Sequence, residues 1–137
     1  MKIGFIAFVF ILLLSHLARA QNFESHDGIY DMHIKIGERI FIDEVELHTR
    51  RMNFMRAELT GFVSVAGAFK AELTGTIQQL CGGTEVFSFS IVAHENGQDF
   101  KVKYDGFFEF DNGTTMQGSA FLEDGKLLGE FTAVKRK

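Results

Sequence analysis

The sequence predicts an all-β fold, an eight-stranded antiparallel up-and-down meander barrel. Three observations predict it. Apolar and polar residues alternate with period two along most of the chain beyond residue 27, the mark of half-buried strands. The phrase Arg56-Ala57-Glu58-Leu59-Thr60-Gly61 returns fourteen residues later as Lys70-Ala71-Glu72-Leu73-Thr74-Gly75, a duplicated strand pair turning at Ala66-Gly67. Short Gly-, Asn- and Asp-rich turns separate the runs, and the chain holds no Pro.

Residues 1–20 read as a signal peptide: Lys2, an apolar run from Ile3 to Leu14, then Ala18-Arg19-Ala20 as the cleavage signal. The run is shorter than the ~20 residues of a membrane span. Cleavage after Ala20 implies a secreted or periplasmic protein in which Gln21 to Asp27 forms a flexible N-terminus and residues 28–137 form one barrel domain. Removing Lys2 and Arg19 leaves twelve basic residues against eighteen acidic ones, a net charge near −6. That balance disfavours binding to a phosphate backbone. Cys81 stands alone, so no internal disulfide exists; it is expected as a packed thiol near a loop or as an intermolecular link.

The strands follow in order. In the first, Tyr30, Met32, Ile34 and Ile36 oppose Asp31, His33 and Lys35, and Gly37-Glu38 turns the chain into a second strand, Arg39 to His48. There Asp43 falls on the apolar face with Phe41, Val45 and Leu47; a bulge near Asp43-Glu44 that rotates it outward avoids burying a carboxylate. Thr49 to Met52 reads as an Arg-rich loop. In the duplicated hairpin a three-residue connection pairs Val65 with Phe69. Leu80 to Glu85, with Gly82-Gly83, is the next loop.

Asn96-Gly97 supplies a two-residue type I′ hairpin that pairs Ala93 with Phe100, Ile91 with Val102, Phe89 with Tyr104 and Phe87 with Gly106. At Asp111-Asn112-Gly113 only a three-residue loop keeps the faces together, pairing Phe108 with Met116, Gly106 with Gly118 and Tyr104 with Ala120. Asp124-Gly125 closes the last hairpin, pairing Leu122 with Leu127, Phe121 with Leu128, Gly118 with Phe131 and Met116 with Ala133. These choices agree on one buried face. Closure into a barrel removes both sheet edges; a two-sheet sandwich is the alternative.

The strand count and meander order resemble the small ligand-binding barrels: lipocalins, fatty-acid-binding proteins and the avidin group. The resemblance implies a fold and a class of function, the holding of a small molecule. It carries no site residues across, since this chain has no Gly-x-Trp near its start, no Trp at all, and a direct Gly37-Glu38 hairpin where fatty-acid-binding proteins carry a helical lid.

Gly61, Gly75, Gly106, Gly118 and Gly129 fall on the buried face. They either leave room for a ligand or let strands coil around a filled core, and Gly118→Leu is the substitution expected to separate the two. If there is a pocket, Tyr104, Phe89, Phe108, Phe131 and Met116 line it, the Tyr104 hydroxyl orienting a small apolar ligand. If the protein is instead an interaction or inhibitor module, its loops or the outward residues Phe107, Phe121 and Leu128 form the partner surface. His26, His33, His48 and His94 show no metal-ligand spacing and are expected at the surface; no cofactor is implied. Glu58 and Glu72, beside Arg56 and Lys70, read as a solvated charge lattice. His94, Asp99, Ser88 and Ser90 do not converge as a triad, so a non-enzymatic binding protein is expected. Alternation alone does not say which face is inside, which keeps a small outer-membrane barrel open, although its short turns and missing aromatic girdles disfavour it. Asn112-Gly113-Thr114 is a glycosylation sequon.

Overall fold

Alternating apolar residues can be buried on one face only if the sheet closes on itself or packs on another, and here it closes. The computed structural model describes residues 26–65, 69–95, 97–109 and 114–137. The expected signal peptide, residues 21–25, the Ala66-Gly67 turn, Asn96, and 110–113 with the sequon asparagine lie outside them. Eight strands run in chain order: β1 (Gly28–Ile36), β2 (Arg39–Arg51), β3 (Arg56–Val65), β4 (Phe69–Gln79), β5 (Glu85–Glu95), β6 (Gln98–Glu109), β7 (Thr115–Leu122) and β8 (Leu127–Lys135). Each pairs antiparallel with its neighbours and β1 pairs with β8, giving a closed barrel and not a sandwich.

The stagger follows from the pairings. A path from Phe41 on β2 through Ile34, Phe131, Gly118, Gly106, Phe87, Ile77 and Ala57 returns to β2 at Arg51, ten residues further on. Eight strands with that stagger tilt by roughly 35–45° and enclose an interior that side chains can fill or share with one small ligand. Leu59, Leu73, Phe89, Val102, Tyr104, Phe108 and Phe131 all point inward and are buried. The apolar stripe thus faces in and the charged face out, the reverse of a barrel that crosses a membrane.

The hairpin registers stand as expected from Val65↔Phe69 through Gly106↔Gly118 and Met116↔Ala133. Four local expectations are corrected. β2 continues to Arg51 in place of a loop from Thr49, because Thr49 N–H and Oγ1–H both donate to Asp27 Oδ1 (2.7 and 2.6 Å) and Arg50 pairs with Glu58 across the ladder at 2.6 Å. The β7–β8 ladder shifts between Ala120 and Phe121, so Phe121 pairs with Leu127. That irregularity turns Leu127 outward and packs the half-buried Leu128 against the core, removing Leu128 from the outer patch. Asp43 stays inward, since Met32↔Asp43 and Asp43↔Val65 sit in unbroken ladders. Cys81 is exposed, not packed.

His26, expected at the surface, is fully buried at the lower end, where β1 begins. Its ring stacks on Phe108 with centroids 4.0 Å apart, its Nε2–H donates to the buried Glu85, and Tyr30 donates to its carbonyl at 2.7 Å. The segment preceding β1 is therefore part of the seal, and Glu85 opens β5 instead of closing a loop. The seam between first and last strands carries a further tie. Arg136 binds Asp31 and Glu44 at 2.6 and 2.9 Å, and its hydrogen bonds hold the Asp31 carboxyl below its ordinary range.

Three inward glycines face a phenylalanine across the ladder: Gly75↔Phe89, Gly106↔Phe87 and Gly118↔Phe131. A Cβ on Gly118 would collide with the Asp105 carbonyl oxygen and stand 2.8 Å from Gly106 Cα. These positions are small because neighbouring backbones approach closely, which permits the coiling that closure requires. The contrast expected for Gly118→Leu is thereby lost, as any side chain there pushes strands apart whether or not a cavity exists. Gly118→Ala alone should cost about 1–3 kcal/mol, read from urea unfolding; an unchanged midpoint would show that the strands do not need that approach.

Candidate functional site

Interior side chains are distributed unevenly along the barrel. Toward the lower end lie Leu47, Leu59, Ile77, Phe87, Phe108 and Met116, all buried. Toward the upper end, where the Gly37-Glu38 hairpin lies, the inward positions of β4, β5, β7 and β8 are Ala71, Ala93, Ala120 and Gly129. The upper rim is apolar and partly open: Phe41 is 40% and Phe100 36% exposed, and Ile36, Phe69 and Leu122 are half-buried.

The five residues expected to line a pocket are brought together, but mainly against one another. Phe89 stacks on Tyr104 at 4.8 Å, Tyr104 meets the ring of Phe131 edge-on at 5.6 Å, and Phe87 bridges Phe89, Phe108 and Phe131 at 5.1 to 6.0 Å. Met116 is fully buried beside them on β7, opposite Phe108. Together they make the floor of the upper half, and Tyr104 is the member that brings a polar group to it.

Asp43, which the sequence pattern placed on this face and desolvation cost argued away from it, completes the site. It is only 7% exposed, and its Oδ1 is buried with no hydrogen-bond partner. β2 and β6 are four strands apart in either direction around the barrel, so Asp43 and Tyr104 stand on opposing walls. Burial pushes the Asp43 carboxyl above the ordinary carboxylate value. Burial first, and then the charge of Asp43, raise the Tyr104 phenol. The two groups sense each other electrostatically, yet no hydrogen bond joins them among the described residues.

The outer candidates are dispersed. Phe107 pairs with Val86 on one side and Gln117 on the other, whereas Phe121 lies opposite Lys103. A larger exposed apolar cluster sits at the closed lower end, where Met52, Phe54 and Met55 of the β2–β3 connection protrude and Leu80 follows β4. Arg51 lies over the Phe54 ring at 5.3 Å, and the Gln79 amide donates to the Met55 carbonyl at 2.7 Å. The signal was present in the run Arg50-Arg51-Met52-Asn53-Phe54-Met55-Arg56, but without strand ends its apolar members had no assignable face.

His33, His48 and His94 are exposed as expected. His94 contacts Asp99 at the surface, with Ser88 and Ser90 farther down β5. Glu58 pairs with Arg50 and not with Arg56, and Lys70 lies over Phe62 at 4.4 Å. Among the described residues no group of three potential ligands could hold a metal ion.

The architecture is that of a small, closed, eight-stranded antiparallel barrel. Among solved structures, the chain is similar to a redesigned β-barrel, mFAP1, bound to DFHBI, with a TM-score of 0.57, 13% identity, and 86% of this chain and 98% of that chain covered. A second redesigned barrel, mFAP0, also bound to DFHBI, gives 0.55 at 12% identity, covering 81% and 99%. The redesigned barrel b11L5F_LGL gives 0.56 at 11% identity, covering 82% and 93%. At these identities the likeness is one of fold. No family model and no curated protein sequence matches the chain.

Because folding raises the Asp43 pKa above its ordinary 3.8, the folded state keeps this proton longer than the unfolded chain. Ionisation therefore lowers stability as pH rises from the unfolded value through the folded one. Asp43→Asn should raise the melting temperature at pH 7, with the gain shrinking to nothing below about pH 4. A loss at pH 7 would mean that Asp43 has a stabilising partner, and a gain that persists at pH 3 would mean that its cost is not one of ionisation.

Proposed function

We propose that this protein is a non-enzymatic binding protein, secreted or periplasmic, that holds a small, mainly apolar molecule in the upper half of its barrel. The observation that carries the reading is Asp43: a carboxyl with a buried, unbonded oxygen inside an apolar wall is costly unless something pairs with it. Tyr104 on the opposite wall offers a second polar contact, and Ala71, Ala93 and Ala120 keep inward side chains short on three of the strands around them. A few convergent polar groups in an apolar enclosure are the ordinary composition of a small-molecule site. The similar redesigned barrels that hold DFHBI support the capacity of such a fold for a ligand of that size. The leader-like residues 1–20 support export.

Ala120 provides the test that Gly118 does not, since it already carries a Cβ and pairs with Tyr104 and Gly129. With space above the floor, Ala120→Leu should keep stability within about 1 kcal/mol of the parent while abolishing uptake of a neutral apolar fluorescent probe. Loss of about 1–3 kcal/mol together with no probe uptake by the parent protein would indicate a filled barrel and defeat the carrier reading.

The apolar loops at the lower end favour a second reading, a protein-interaction module that docks through Met52, Phe54, Met55 and Leu80. A photo-crosslinking residue at position 54 should then give one discrete adduct in cells of the source, and the same residue at position 107 none. Equal labelling from both positions would remove this reading.

A further inference from the structure

We infer that the ligand is a small aromatic or aliphatic amine, held by an ion pair between its ammonium group and Asp43. This inference rests on the carrier reading and deepens it. The charges facing the upper interior are unbalanced. Among the described residues, Asp43 is the buried acidic group on its inward walls, and the basic side chain on the same face, Arg39, is exposed at the rim and forms no ion pair with it. The contrast with the lower end is instructive. There a second buried acid, Glu85, has His26 against it inside the protein itself. Asp43 has no such internal partner, so the complement must come with the ligand.

Charge chemistry selects among ligand classes. A carboxylate ligand such as a fatty acid would bring a second negative charge into a low-dielectric space with no cation to receive it. A neutral apolar ligand would strip Asp43 of its remaining solvation and return nothing for it. An ammonium donates charge-assisted hydrogen bonds to the carboxylate, the pairing that restores an ionised buried acid. The rest of the molecule would lie along the Tyr104–Phe89 stack, with Phe41 and Phe100 at the rim. The phenol oxygen can accept a further N–H, and the raised pKa of Tyr104 keeps it neutral for that role. Charge also matters before contact, since the net acidic protein attracts cations toward the mouth.

Three probes of one shape separate the possibilities: 2-naphthylmethylamine, 2-naphthylmethanol and 2-naphthoate, titrated calorimetrically at pH 7 into the mature protein and into Asp43→Asn. The amine should bind about tenfold or more tighter than the alcohol, and the naphthoate least. In Asp43→Asn the amine should fall to the affinity of the alcohol, which itself should not change. Asp43→Glu, which keeps the charge, should retain a preference for the amine and guards against a folding defect in the first variant. Equal binding of amine and alcohol by the parent protein overturns the inference and leaves the carrier reading intact, as does an amine preference that survives Asp43→Asn. Tightest binding of the naphthoate also overturns it, since that would mean a protonated Asp43 acting as donor. Failure of all three probes to bind counts against the carrier reading as well.

Discussion

The ten-residue stagger of eight strands is the constraint from which the rest of this structure follows. It sets the tilt, and the tilt sets a bore that side chains can fill or share with one small ligand. The protein answers differently along the axis. Below, phenylalanine rings lie opposite glycines, so that Gly75, Gly106 and Gly118 bring backbones close while Phe89, Phe87 and Phe131 occupy the bore. Above, four inward positions shrink to Ala71, Ala93, Ala120 and Gly129, and the bore is shared by the aliphatic residues Ile34, Val63, Ile91 and Val102, the rim of Phe41 and Phe100, and Asp43. Glycine and phenylalanine are two parts of one device, and neither is interpretable alone.

Two buried acids show how the environment of a carboxylate decides its role. Glu85 faces His26 in a sealed, aromatic setting and joins the start of the described chain to β5. Asp43 stands across the bore from the Tyr104 phenol with no hydrogen-bond partner for its buried Oδ1, and burial raises its pKa. The first arrangement pairs its carboxylate with a base inside the chain and contributes closure. The second is incomplete, and incompleteness in a buried polar group is the usual structural sign that something outside the chain belongs there.

Most of the barrel was legible in the sequence because period-two alternation constrains register tightly when one face is buried. A slip of one residue at Asp111-Asn112-Gly113 would have set Phe110 against Thr115, and the expected ladder with Phe108↔Met116 is the one formed. What escaped were features that alternation does not encode. The irregularity at Ala120/Phe121 exchanges Leu127 and Leu128 without any change in residue type. His26 precedes the first strand, so no periodicity spoke for its burial, and its partner lies 59 residues away. Asp43 was misplaced for the opposite reason: the pattern put it inward correctly, and a general rule about buried charge overrode the pattern. Departures from such rules gather where a protein does its work. The aromatic candidates Phe89, Phe108 and Phe131 are on the face that alternation gives them, but their packing against one another depends on height along a tilted bore, which alternation does not encode.

The seam between β1 and β8 has a consequence for how the chain comes into being. Asp31 and Arg136, which meet across it, are 105 residues apart. Seven ladders can form as hairpins while the chain emerges, but the eighth must wait for its last residues. Until then the sheet is an open ribbon with two unpaired edges and an aromatic face in water, the form most apt to add a strand from another molecule. A chain that stops short of β8 is caught permanently in that state. The same strand that makes the native barrel free of edges therefore makes its unfinished form dependent on speed of completion, or on a companion that covers β1 in the interval.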